Sequence, residues 1–193
     1  MKKSMITSAR AKPAISYQRS AISCREVRTE LELRECYKIR IMVFVKEQKL
    51  FSKSDWDRYD AEAFHIAAFQ GKRIIGTVRI YHQQKDAWFG GRLAVLKGFR
   101  GRAGRLLIEK AIEVAKRKKA KRFLAYIQLK NVSFFKRCGW SEAGEAFPYH
   151  GVPHQMMEAE LKKGSIRLRR TGVKGRRGEA VPRPKIIERQ YYA

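Results

Sequence analysis

Trp88-Phe89-Gly90-Gly91-Arg92-Leu93-Ala94-Val95 is apolar and bounded by polar residues, which reads as a buried strand. It runs into Leu96-Lys97-Gly98-Phe99-Arg100-Gly101-Arg102-Ala103-Gly104-Arg105, a stretch so rich in Gly and Arg that it reads as a loop. From Leu106 to Lys118 the pattern turns helical. Leu107, Ile108, Ala111, Val114 and Ala115 fall on one face, and Glu109, Lys110, Glu113, Lys116 and Arg117 on the other. The first amides of such a helix lack internal partners, and the helix dipole favours an anion in front of them. Glycines let a ligand approach the backbone and arginines add charge, so the unit suits a phosphate group. By spacing alone, a solvated basic cap fits the same residues equally well.

The rest of the chain bounds what this unit can belong to. At 193 residues it has the length of one domain with a proper core. Its 44 Lys+Arg against 18 Asp+Glu give a formal charge of +26, a field that attracts nucleic acid, anionic membrane or phosphorylated ligands. The imbalance is concentrated at the ends, where solvated basic tails are the plain reading. Cys24, Cys36 and Cys138 have no metal-ligand spacing, and an odd number argues against a disulfide framework. Met1-Lys2-Lys3 is not followed by the apolar run of a signal peptide. No stretch approaches the roughly 20 apolar residues of a membrane span. A cytoplasmic protein without membrane contact is expected.

In chain order, residues 1–19 form a basic arm without periodicity, and Ala21 to Val27 can make a first strand. Thr29 with Glu32 three residues on is a capping box. Leu33, Cys36, Ile39 and Val43 then repeat at helical spacing, predicting a helix from Glu30 to about Val45. Phe64 to Gln70 and Ile74 to Tyr81 read as a hairpin turning at Gly71-Lys72, with Trp88 to Val95 the next strand. Arg122 to Gln128 is β-rich, Asn131 caps a short helical turn through Arg137, and Gly139 ends it. Gln155 to Leu161 alternates as a half-buried strand. The basic, Gly/Arg-rich remainder has too few apolar residues to order itself. The domain is therefore set at 20–163, with a tail from 164 to 193.

From Arg92 to Trp140 the chain resembles the GCN5-related N-acetyltransferases (GNAT). Their central strand splays open for the pantetheine arm of acetyl-CoA, and their next loop, Arg/Gln-x-x-Gly-x-Gly/Ala, holds the pyrophosphate. Gly104 fits the last small position; Arg102 then stands at the preceding glycine, and Phe99 at the Arg/Gln. Alternatively the loop is one residue short and Arg100-Gly101 matches the Arg-Gly pair. The order Arg40-x-x-Val43-Phe44-Val45-x-Glu47-Gln48, Asp57-x-x-Asp60-x-x-Ala63-x-His65, Gln128 ahead of Phe134-Phe135-x-Arg137-x-Gly139-Trp140, and Gly151-x-Pro153-His154 resembles a bacterial subgroup exemplified by ElaA and YjcF. These motifs cover residues 30 to 161.

The resemblance implies an α/β domain with a central, mostly antiparallel sheet of six or seven strands, a splayed central strand and helices on both faces. It implies acetyl-CoA as donor cosubstrate, held by Leu93, Ala94, Val95, Arg100, Gly101, Arg102, Ala103, Gly104, Arg105, Gln128, Asn131 and Phe134. The subgroup motifs pick out Glu47 and His154 as catalytic candidates for deprotonating an amine. Histidine titrates near neutrality and a carboxylate can relay a proton through water. Equally, Glu47 can pair with an arginine, and His154 can fix a turn beside Pro153. Asp57, Asp60 and His65 can order a loop over the acceptor site or bind a cationic amine. Arg92 can meet an anionic acceptor group or make a structural ion pair. Trp56, Trp88 and Trp140 read as core. The tyrosine that protonates the leaving thiolate in that family is Phe135 here, which has no proton to give. Water or another group such as Tyr126 or His154 must replace it, or catalysis is weak or lost.

The expected activity is acetyl-CoA-dependent N-acetylation of a primary amine, by direct attack in a ternary complex, with no metal. The acceptor is a small molecule or a peptide amine. A catalytically weak acyl-CoA sensor and a basic nucleic-acid-associated module are the alternatives, the latter through the tails, and a homodimer is left open.

Overall fold

The computed structural model describes residues 21–84 and 86–161. Both basic terminal segments, and with them the arm, the tail and the nucleic-acid expectation, lie outside the described residues. The elements run β1 (Ile22–Glu26), α1 (Glu30–Arg40), a π-helical stretch (Ile41–Glu47), β2 (Phe64–Gln70), β3 (Arg73–Gln84) and β4 (Ala87–Val95). They continue with α2 (Arg100–Arg117), β5 (Arg122–Gln128), α3 (Val132–Arg137), β6 (Trp140–Tyr149) and β7 (Val152–Ala159). The strands form one seven-stranded sheet in the order β1-β2-β3-β4-β5-β7-β6. All neighbours are antiparallel except β4 and β5. None of the described helices is long and apolar enough to cross a membrane.

The period-two alternation of β2 assigns the two faces of the sheet. Ile66 and Ala68 pack with Leu107, Ala111 and Val114 of α2. Ala67 and Phe69 pack with Cys36 of α1. Helices thus cover both faces, and α2 supplies the larger core. At the start of α1 the capping box forms, with the Glu32 amide donating to Thr29 Oγ1 at 3.2 Å. The tight connection between β6 and β7 is His150-Gly151, both at positive φ (48° and 70°), as a type I′ hairpin turn requires.

Four expectations need correction. The Gly/Arg stretch is not a loop: after a 3₁₀ turn at Lys97–Phe99 it is helical from Arg100 onward. Glycine weakens a helix by only about 1 kcal/mol, and the apolar face of α2 outweighs that. The first helix keeps its α pitch only to Arg40 and widens into the π-helical stretch. Trp56 is 59% exposed rather than core, while Trp140 is buried. Asn131 precedes α3, but its side chain makes no capping bond. β6 is an additional strand whose residues do not alternate in hydropathy.

Between the π-helical stretch and β2, the chain crosses the α1 face of β3 and β4 without regular structure. Three aspartates of that crossing meet three arginines. Arg40 Nε donates to Asp55 Oδ2 at 2.8 Å, and its Nη1 to Asp60 Oδ1 at 2.5 Å. Arg79 reaches Asp60 Oδ2 at 2.7 Å and Asp57 Oδ1 at 2.8 Å. Arg92 reaches Asp57 Oδ2 at 3.0 Å and Asp55 Oδ2 at 3.2 Å. Every member has two partners of opposite sign, so the six groups close a neutral ring. Burial raises the Asp60 carboxyl, but the Arg40 hydrogen bond and the charges of Arg79 and Arg40 outweigh it and hold it at about 2.

A carboxyl so lowered binds fewer protons folded than unfolded. Its contribution, about 2 kcal/mol, is fully present above roughly pH 4 and is lost as pH falls toward about 2. Urea unfolding should show this acid loss in the native protein. Asp60→Asn, which leaves two buried guanidiniums short of charge, should cost about 3–5 kcal/mol at pH 7. A cost under 1 kcal/mol would show that the ring does not hold the loop.

Candidate active site

β4 and β5 are joined only from Ala87–Gly90 against Arg122–Ala125. Beyond Gly90 the two strands part. β4 stays on β3, whereas β5 continues from Tyr126 to Gln128 on β7. The parting coincides with a bulge: Thr77 faces Ala94 and Arg79 faces Gly91, so β4 carries one residue more than β3. Arg92, at φ 55°, absorbs it. Gly90 and Gly91 then sit at the apex in opposite environments. A Cβ on Gly90 would meet Phe123 at 3.0 Å, whereas one on Gly91 would meet nothing within 4 Å. The α1 face above Gly91 is open space at the mouth of a wedge in the sheet.

α2 begins beside this wedge. Because the helix starts at Arg100 with Phe99 as its N-cap, the amides of Arg100, Gly101 and Arg102 have no acceptor within α2, while that of Ala103 is the first to have one, the Phe99 carbonyl, and those of Gly104 and Arg105 follow. Gly104 is buried under Phe134, whose ring lies 3.5 Å from where a Cβ would stand. Arg100 donates from Nε to the Val95 carbonyl at 3.2 Å and through Nη2 pairs with the Glu47 carboxylate. That hydrogen bond holds the Glu47 carboxyl below its usual range, and the charges of Lys97 and Lys130 add to the effect. Leu93, Ala94 and Val95 lie along the wedge edge of β4, with Ala94 and Val95 buried.

On the β5 side, Gln128 Nε2 donates to Gln48 Oε1 at 3.1 Å, tying the strand end to the π-helical stretch. Gln128 faces His154 across β5 and β7. His154 is 7% exposed, and its Nδ1 lies 2.7 Å from the Val152 carbonyl. Donation from Nδ1 leaves Nε2 as the proton acceptor. Burial lowers the imidazole below its ordinary value; the Val152 bond opposes this and the Lys130 charge assists it. The Lys130 charge thus acts on both Glu47 and His154. Tyr126, the first β5 residue past the apex, is pushed up to about 12 by burial and so keeps its proton at neutral pH. Phe135 is buried, its ring edge-on to Trp140 at 5.4 Å. Asn131 is exposed at the turn into α3.

Sequence reading brought together the α2 start, Gln128, Phe134, Glu47 and His154. It assigned no role to Gly91 or Lys130, and gave Gln48 only within the subgroup motif. The Gly90-Gly91 pair inside a strand was the available signal, since glycine there marks a bulge or a close approach. Asp57 and Asp60 order the loop, and Arg92 makes ion pairs with it.

The geometry agrees with known proteins. Residues 29–140 match the Acetyltransferase (GNAT) family. YjcF of Bacillus subtilis, an uncharacterized N-acetyltransferase, is 32% identical over 135 residues, covering 68% of this chain and 95% of that protein. Escherichia coli ElaA shares the fold with a TM-score of 0.65 at 23% identity, covering 72% of this chain and all of ElaA. An acyl-CoA N-acyltransferase from Pseudomonas aeruginosa does so with a TM-score of 0.63 at 22% identity, covering 72% and 99%.

If the α2 amides and Arg100 receive a pyrophosphate, Arg100→Ala should weaken coenzyme A binding roughly tenfold, the scale of one charged hydrogen bond. Glu47→Gln, which releases Arg100, should leave binding unchanged or tighter. Calorimetry decides between these outcomes and their reverse, in which Glu47 rather than Arg100 matters for the coenzyme.

Proposed function

The chain belongs to the acetyltransferase (GNAT) family, whose members use acyl-CoA donors, and we propose that it transfers acetyl from acetyl-CoA to a primary amine in a ternary complex. The observation that carries this reading is the wedge at Gly90, with open space over Gly91 on one side and the unpaired α2 amides on the other. A thioester along the β4 edge would present its carbonyl to backbone donors between Gly91 and Val95, where developing negative charge needs them. The amides of Arg100, Gly101 and Arg102 would hold the pyrophosphate, with Ala103, Gly104 and Phe134 shaping the helix start and Gln128 and Asn131 flanking the arm.

The residues divide the proton work. His154 Nε2 takes the proton from the amine, because the buried imidazole is neutral and its other nitrogen is already engaged. The amine nitrogen bonds to the acyl carbon, the carbon–sulfur bond breaks, and coenzyme A leaves as the thiol. The Tyr126 hydroxyl supplies the thiol's proton and is restored by the one His154 gained. Glu47, held low by Arg100, is a weak proton acceptor and acts by positioning that arginine. A sensor that binds acyl-CoA without transfer is the second reading, favoured by the core ring of Phe135 where the family's proton donor stands.

Thiol release from acetyl-CoA should depend on added primary amine. kcat/KM should fall in acid with a midpoint below 6.5, because lowering the His154 value extends the neutral form to lower pH. His154→Ala should remove that limb and slow turnover by about 10²–10⁴. An unchanged profile in the variant would place the base elsewhere, and no release with any amine would favour the sensor.

A further inference from the structure

We propose that the acceptor amine is carried on an aromatic body, and that polyamines and other acceptors with additional positive charge are disfavoured. This rests on the transferase reading and names its acceptor. Aromatic rings stand on both sides of the parting of β4 and β5, on Tyr126 of β5 and against Arg92 of β4. On the β5 side, Tyr126 meets Phe147 edge-on at 5.0 Å and Tyr149 at 6.0 Å. On the loop side, Phe51 lies under the Arg92 guanidinium at 5.0 Å and against His150 at 4.8 Å. Tyr126, Phe147, Tyr149 and Phe51 are each only half-buried, so their rings keep surface for a ligand. Aromatic ligands gain from such edge and offset contacts beyond simple area burial.

The charges point the same way. An acceptor with several ammonium groups needs carboxylates, and those brought to this face are committed. Asp55, Asp57 and Asp60 are neutralised within the ring, although the Asp57 side chain is 28% exposed. Glu47 is taken by Arg100. The ring as a whole is neutral and Lys130 adds a positive charge that acts on His154, so a second ammonium on the acceptor meets repulsion without compensation. A neutral amine on an aromatic ring meets neither penalty.

The test compares 2-phenylethylamine, butylamine and spermidine in two assays on the full chain: calorimetric binding to the protein–coenzyme A complex, and kcat/KM with acetyl-CoA. The aromatic amine should exceed butylamine by roughly tenfold in both, the scale of one good ring contact, with spermidine weakest. Tyr149→Ala should erase the advantage through KM, and Tyr149→Phe should retain it. Spermidine equal to or better than 2-phenylethylamine, or no advantage over butylamine, would overturn the inference while turnover leaves the transferase reading standing. Aromatic preference in binding without thiol release from any amine would do the opposite.

Discussion

Six charged side chains in alternation, Arg40-Asp55-Arg92-Asp57-Arg79-Asp60, close a ring on one face of the sheet, and the site depends on it. Taking any of these charges out of water alone would cost several kcal/mol. Each is tolerable because two opposite charges flank it, and Arg40, Arg79, Asp55 and Asp60 are almost wholly buried. The arginines come from α1, β3 and β4, while every aspartate comes from the irregular crossing before β2. A segment with no hydrogen-bonded ladder of its own is thereby fastened at three points to three regular elements. His65 adds a fourth, its Nε2 lying 3.2 Å from the Asp60 carbonyl.

The ring also answers for the backbone of β4. A non-glycine residue in the left-handed region costs about 1–2 kcal/mol, and Arg92 occupies it at φ 55°. Its two aspartate partners hold it there. The extra residue this admits turns Arg92 onto the same face as Gly91 and re-aims the strand away from β5. The wedge, the open face over Gly91 and the position of Arg92 are one feature seen from three sides. Because the ring is neutral, the face over Gly91 gains a rigid wall without gaining a net charge.

Much of this was legible in the sequence. Phe64–Gln70 and Arg122–Gln128 are strands with the bounds expected of them, because each is a short apolar run buried between neighbouring strands. Thr29 and Glu32 announced the start of α1. β6 was not legible: Ser141, Glu142, Gly144, Glu145 and Ala146 are exposed on an edge strand, and Gly144 at φ 107° interrupts the alternation. The ion ring was invisible for another reason. Its partners stand 15 to 37 residues apart, and an arginine or aspartate read locally is a solvated charge. Glu47 and Arg100, 53 residues apart, could be offered as a pair only in kind, never in identity. The Gly/Arg stretch misled because local composition favoured a loop, while the buried face formed by Ala103, Gly104 and Leu107 extends the helix.

A crystal structure with acetyl-CoA bound would test the account as a whole. Density for the pyrophosphate should lie on the amides of Arg100 to Arg102, with the pantetheine arm along Gly91 to Val95 and the thioester facing the open side of Gly91 opposite Tyr126. Coenzyme bound away from the parting of β4 and β5, or a thioester turned toward the α2 core, would contradict it.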